Sequence, residues 1–118
     1  MINKVLKNNF FISFFISSIV FHIIYGFVIF NPQNIDWLMS AYHDWGTHYL
    51  GAAFYRAEPW GFPLGDMNKL YYPVGTNVGF TDSLPLLAFL TKLLSEVLPE
   101  DFQYLGIWLF TCTFFLAY

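Results

Sequence analysis

The stretch Phe10–Phe30, FFISFFISSIVFHIIYGFVIF, decides the fold. It holds no Asp, Glu, Lys or Arg. As an α-helix its residues would extend about 31 Å, the thickness of a bilayer's hydrocarbon core. In water so many Phe, Ile and Val residues would make a mediocre helix. In lipid the backbone must satisfy its own hydrogen bonds, and the helix prevails. Pro32 disfavours helical geometry at Asn31, so the span is expected to end there. Lys4 and Lys7 precede it, and the positive-inside rule then puts the N-terminus in the cytoplasm. A cleaved signal peptide would have a shorter apolar run and a small-residue cleavage site, and Phe27-Val28-Ile29-Phe30-Asn31 supplies none.

A second uncharged run, Phe102–Tyr118, lies at the lower limit of a span. It has no basic flank, so the chain reads as cut in mid-helix and as the N-terminal part of a longer protein. Composition agrees with two spans. Of 118 residues 57% are hydrophobic, 23% aromatic and 11% charged, less than half the charge of an ordinary soluble domain. The net charge of -3 offers no basic stripe for nucleic acid. The single cysteine, Cys112, permits neither an internal disulfide nor a cysteine-based zinc site.

Between the spans, residues 31–101 carry all 8 acidic residues and only Arg56, Lys69 and Lys92 as cations. This bias fits a non-cytoplasmic loop, and the many Trp and Tyr residues in its first half fit a surface at headgroup level. Within the loop, Tyr42, Tyr49, Leu50 and Ala53 recur near helical spacing, which predicts a helix over about 44–56. Glycine and proline make 61–79 a series of turns, with Asp66 as a turn former. A second helix is expected over about 84–98, capped by Asp82-Ser83 with Pro85 in its first turn. Leu86, Leu87, Leu90, Leu93, Leu94 and Val97 would form its apolar face and Lys92 and Glu96 its polar one. It reads as an amphipathic helix on the membrane or against a helix bundle. The predicted fold is thus an all-α membrane protein: cytoplasmic tail 1–9, transmembrane helix 10–30, extracytoplasmic loop 31–101 with two juxtamembrane helices, and the start of a second transmembrane helix at 102–118.

Chemistry-bearing residues are few. Asp44 and His48 share a helix face at i, i+4, and His43 adjoins them. They read as an N-cap with a surface histidine, as ligands of a divalent metal, or as a general base just outside the membrane. His22, inside the first span, is either a neutral residue facing another helix or a proton relay. Arg56 could pair with a phosphate or reach along the interface. No phosphate-binding loop, nucleophile elbow, dinucleotide fingerprint or HExxH motif is present.

Taken in order, the basic tail, the first span, DWGTHYLGAAFYRAEPWGFPLG (44–65), FTDSLPLLAFLTKLLSEVLP (80–99) and FQYLGIW (102–108) resemble an uncharacterised family of bacterial multi-span proteins. That family in turn resembles the GT-C membrane glycosyltransferases, which use lipid-linked sugars. Their first external loop carries an acidic residue, a juxtamembrane helix, and a second such helix opening on a proline-containing, often KPPL-like, motif. Asp44 stands where the acid is expected, although Trp45 follows it where many of those enzymes have Asp-Glu. Ser83-Leu84-Pro85-Leu86 stands at the second helix.

The resemblance implies inverting transfer of a sugar from a polyprenyl-phosphate donor to a cell-envelope acceptor, in the inner or plasma membrane. Asp44 would be the catalytic base, with His48, Arg56, Trp60 and Asp82 lining the substrate. Partners would be membrane lipid and the remaining transmembrane helices of the longer chain, without which this fragment is expected to be inactive. No cofactor is implied, a divalent metal being the alternative noted above. Two other readings remain: a non-catalytic membrane subunit or scaffold, and a transporter segment relaying protons through His22.

Overall fold

The computed structural model describes residues 2–40 and 44–118, with side chains from residue 9 onward. Four helices dominate: α1 (Ile2–Tyr25), α2 (Trp45–Ala57), α3 (Pro85–Leu93) and α4 (Leu105–Ala117). Two short strands, β1 (Asp66–Met67) and β2 (Thr76–Asn77), pair antiparallel with Asp66 opposite Asn77. This ladder is an addition to the all-helical expectation. The chain divides into two compact units, Met1–Asn34 with Tyr104–Tyr118, and Ile35–Gln103.

The first unit is the helix pair α1 and α4. Helix α1 ends six residues before the expected Asn31 because Gly26 adopts φ +73, a left-handed conformation in which a helix terminates readily. A 3-10 turn at Val28–Phe30 follows. Ser13 Oγ donates to the carbonyl of Ala117, Phe21 packs edge-on against Phe110 at 5.3 Å, and Gly106 lies under the carbonyl of Ile29. These contacts make the two helices antiparallel. A β-carbon at Gly106 would collide with the Ile29 carbonyl, so only glycine allows that approach.

The pair is apolar on both sides: its seam is aromatic with two buried serines, and its outer face is apolar as well. Ser13 and Ser17, one turn apart, are buried against α4, Ser17 to 1% exposure. Phe11, Phe15, Ile16, Ile23 and Ile24 face outward, Ile23 at 79% exposure. Hydroxyls of the pair bond to backbone carbonyls: the buried Ser17 Oγ donates to Ser13 at 2.6 Å, and on α4 the half-buried Thr113 Oγ1 donates to Leu109 at 2.9 Å. Among the described residues no helix is long and apolar enough to cross a membrane. The part of α1 that follows Asn8 and Asn9, from Phe10 to Tyr25, measures about 24 Å at 1.5 Å per residue.

The second unit packs α2 against α3, with the ladder beside them. Helix α2 buries Tyr49, Gly51, Ala52 and Tyr55. It starts and stops within one residue of the span read from spacing. Helix α3 stops at Leu93, where i→i−3 bonds tighten the chain, and does not reach Leu98. The leucines and Lys92 fall on opposite faces, as expected: Leu86, Leu90, Leu93, Leu94 and Val97 are exposed, and what differs is that Lys92 is buried with Ala88 and Thr91. Lys92, at 4% exposure, reaches the end of α2 instead of solvent. The N-cap of α3 is Leu84, with no side-chain capping bond, because Ser83 bonds elsewhere. Asp66 belongs to the ladder and not to a free turn.

Candidate functional site

Asp44 sits at the N-cap of α2 with φ -80 and ψ 10, and its side chain makes no capping hydrogen bond. Its carbonyl instead accepts from the Thr47 hydroxyl at 2.6 Å and from the Thr47 amide at 3.1 Å. Thr47 therefore closes the first turn, and the exposed carboxylate of Asp44 keeps its acceptor capacity for another group.

One turn along, His48 is held from both ends. Its Nδ1 lies 2.5 Å from the Asp82 carbonyl, and its own carbonyl accepts from Ser83 Oγ at 2.8 Å. A carbonyl can only accept, so Nδ1 must carry the proton and donate. In the neutral ring Nε2 is then the basic nitrogen. The segment Thr81–Ser83 reaches α2 at Gly51, where a β-carbon would collide with the hydroxyls of Ser83 and Thr81. Gly51, in the second turn of α2, thus positions the partners of His48, three residues before it.

The other sequence-derived candidates lie at the far end of α2. Arg56 is 12 positions from Asp44, which along a helix is about 18 Å. Its guanidinium donates to the carbonyls of Pro99 at 3.1 Å and Glu100 at 3.4 Å. It borders a groove of about 320 Å³ with Ala53, Ala57, Ser95, Leu98 and Glu100. The buried Tyr49 senses the same charges. Burial raises its hydroxyl above the usual tyrosine range, Asp101 and Glu100 push the same way, and Arg56 opposes them.

Trp60 is exposed and packs edge-on against Phe89 at 5.6 Å. Its ring lies 5.0 Å from Lys92 Nζ, which is 4.1 Å from the Tyr55 ring. The Lys92 ammonium donates to the carbonyls of Tyr55 at 2.6 Å, Glu58 at 2.8 Å and Pro59 at 3.5 Å. It thereby satisfies carbonyls that the end of α2 leaves without helical partners. Burial lowers its affinity for the proton and Glu58 offsets part of that. The Glu58 carboxylate itself accepts from the Lys69 amide at 2.6 Å.

Of the five candidates, His48 and the backbone of Asp82 meet directly, Asp44 is on the same end of α2, and Arg56 and Trp60 are not part of that group. Lys92 and Tyr49, read from sequence as a polar-face lysine and an interfacial aromatic, are buried, as are Tyr55 and Glu58. The only sequence signal was the 37-residue separation of Tyr55 and Lys92 on two short helices, which fixes no contact until the helices are paired. Among the described residues no three His, Cys, Asp or Glu side chains converge to hold a metal ion. His43 and Tyr42 lie outside the described residues.

In the first unit His22 directs Nδ1 to the Ser18 carbonyl at 2.5 Å and lies against the ring of Phe27 at 3.7 Å. It is caged by aromatic rings and a backbone carbonyl of its own helix.

No curated protein and no solved structure matches the chain. Residues 14–118 match a family described as a domain of unknown function, DUF6311. The chain belongs to the DUF6311 family.

Proposed function

We propose that this chain is the N-terminal part of an integral membrane glycosyltransferase of the GT-C kind. It would transfer a sugar from a polyprenyl-phosphate donor to a cell-envelope acceptor, with its N-terminus in the cytoplasm and residues 31–101 outside. The observation that carries the membrane reading is the apolar outer face of α1 and α4. Phe11, Phe15, Ile16, Ile23, Ile24, Phe115 and Leu116 face out, while Ser13 and Ser17 are buried beside the aromatic seam. In water that arrangement would expose a far larger apolar surface than soluble monomers tolerate. In lipid it is the favoured one, since small residues let helices approach and hydroxyls bond to carbonyls. The apolar course of α1 is continued by the 3-10 turn Val28–Phe30.

The catalytic reading rests on the resemblance and on the uncapped carboxylate of Asp44. Asp44 would take the proton of the acceptor hydroxyl as it attacks the anomeric carbon, and the lipid phosphate would leave on the opposite side. His48, with Nε2 as its basic nitrogen, is the neighbouring group able to share that proton. Arg56, about 18 Å along the helix, is too distant to stabilise the same reacting centre. The cation that meets the phosphate would come from the rest of the longer chain.

The second reading, a non-catalytic membrane subunit, is favoured by that same separation of Asp44 from Arg56. Transfer from a radiolabelled polyprenyl-phosphate hexose by the full-length protein in vesicles distinguishes the two. Asp44→Asn is expected to lower transfer at least about a hundredfold, the usual contribution of a general base. Glu96→Gln, at an exposed position, is expected to leave it unchanged. Equal transfer by wild type and Asp44→Asn would remove Asp44 from the chemistry, and no transfer by the wild type would leave the subunit reading standing.

A further inference from the structure

Beside the β1–β2 ladder lies a groove of about 390 Å³, lined by Asp66, Asn68, Thr76, Asn77, Val74 and Phe80 together with Gly75. Its floor is built to be stiff. Asn77 Nδ2 donates to Asp66 Oδ1 at 2.8 Å and to the Leu64 carbonyl at 3.1 Å, and Asn77 Oδ1 accepts from the Gly79 amide at 2.9 Å. The Asn77 amide is thus used mainly as scaffold and fixes one oxygen of Asp66, leaving the second carboxylate oxygen its acceptor capacity. Gly65 and Gly75 hold φ of +96 and +72, and a β-carbon at Gly65 would crowd the Asn77 amide. Tyr71, between the strands, holds φ 60, a left-handed conformation that side chains rarely adopt.

We infer that this groove binds a neutral pyranoside ring. No cationic side chain lines it, which disfavours an anion. Lys69, the nearest cation in sequence, is turned to the Ala57 carbonyl at 3.4 Å. Asp66 is its only carboxylate, too few for a divalent cation site built from protein oxygens. What the groove offers is a carboxylate, an amide at Asn68 and a hydroxyl at Thr76, beside an apolar edge formed by Val74 and Phe80, the latter 88% exposed. Vicinal hydroxyls on one side and a C–H face on the other are the features of a pyranose that match this set. The volume is at the small end of ligand clefts, which run from about 300 Å³ upward. The inference does not depend on glycosyl transfer at Asp44, which is not among the lining residues.

The test is saturation-transfer NMR on the 118-residue chain in detergent micelles. The probes are the methyl pyranosides of glucose, mannose and galactose. At least one is expected to receive saturation at its ring C–H protons. Phe80→Ala and Asp66→Asn are each expected to weaken that binding about tenfold, the effect of one lost stacking contact or charged hydrogen bond. Asp44→Asn and Phe62→Ala, which do not line the groove, should leave it unchanged. Phe80 is so exposed that its removal cannot unfold the unit, so its result stands even where Asp66→Asn perturbs the ladder. Absence of transfer to all three glycosides, or undiminished binding in Phe80→Ala, overturns the inference.

Discussion

The Lys92 ammonium on α3 lies 2.6 Å from the carbonyl oxygen of Tyr55 in the last turn of α2. Because it also meets the Glu58 carbonyl, one side chain closes the end of one helix while anchoring another. A buried cation is tolerable there since the helix C-terminus presents partial negative charge. Lys92→Met keeps the aliphatic stem and leaves the carbonyls of Tyr55, Glu58 and Pro59 without the ammonium. It is expected to destabilise the second unit by about 3–6 kcal/mol, the loss of the two shorter charge-assisted bonds at about 1.5–3 kcal/mol each. Thermal unfolding in detergent checks this, and an unshifted midpoint would mean that the ammonium does not hold the pair together.

Tyr49 gives an alkaline prediction. Burial raises its hydroxyl above the ordinary value of 10.0. Above that pH the unfolded chain has lost the phenolic proton and the folded chain still holds it, so stability falls as pH rises through the window above 10.0. Tyr49→Phe removes the proton altogether, and its stability should fall less steeply over that range than the wild type's. Parallel alkaline limbs for the two proteins would contradict the burial of this hydroxyl.

Gly51→Ala tests how His48 is positioned. The added methyl must displace Ser83 and Thr81, which hold the segment that pairs with His48. Overpacking of this kind destabilises by about 1–3 kcal/mol. The His48 imidazole resonances, followed by NMR, should shift as the Asp82 carbonyl moves away. A well-folded variant with unchanged His48 resonances would show that the close approach at Gly51 is not what sets the ring.

In the first unit Phe21 is fully buried among Tyr25, Phe30 and Phe110, with ring centroids 5.0–5.3 Å apart. Phe21→Ala should lower the stability of the α1–α4 pair by about 3–5 kcal/mol, the range for a large aromatic removed from a packed site. Phe15→Ala, on the outward face, should change it by less than about 1 kcal/mol in micelles. The two variants compared by thermal unfolding separate packing between the helices from contact with their surroundings, and equal losses would contradict that division.

Sequence made the extent of α2 legible from the spacing of Tyr49, Leu50 and Ala53. Of these only Tyr49 is on the buried face, which is completed by Gly51, Ala52 and Tyr55, while Leu50 is exposed. On α3 the leucines and Lys92 fall on opposite faces, as spacing predicts. Spacing does not show that Lys92 is buried, because its ammonium reaches carbonyls at the end of α2 that no local pattern reveals. The end of α1 depended on one backbone angle at Gly26, and glycine within an apolar run does not announce that it will be used. Asp82-Ser83 before Pro85 looked like a helix cap, yet the Ser83 hydroxyl is taken by the His48 carbonyl, a partner 35 residues away. The Asp66–Asn77 ladder was invisible because each strand has two residues and its stability comes from one asparagine side chain. Asp44 was legible as an exposed carboxylate at a helix start, and its distance from Arg56 follows once α2 is known to be continuous.

The most direct test of the account is cysteine labelling of the chain in intact cells, in a Cys112→Ser background. Phe62→Cys, in the second unit, and Phe15→Cys, on the outward face of α1, are each exposed to a membrane-impermeant maleimide. The account predicts that Phe62→Cys is labelled from outside without lysis and that Phe15→Cys stays unlabelled until detergent is added. Ready labelling of Phe15→Cys in intact membranes, or labelling of Phe62→Cys only after lysis, would contradict a lipid-embedded α1 carrying an external unit.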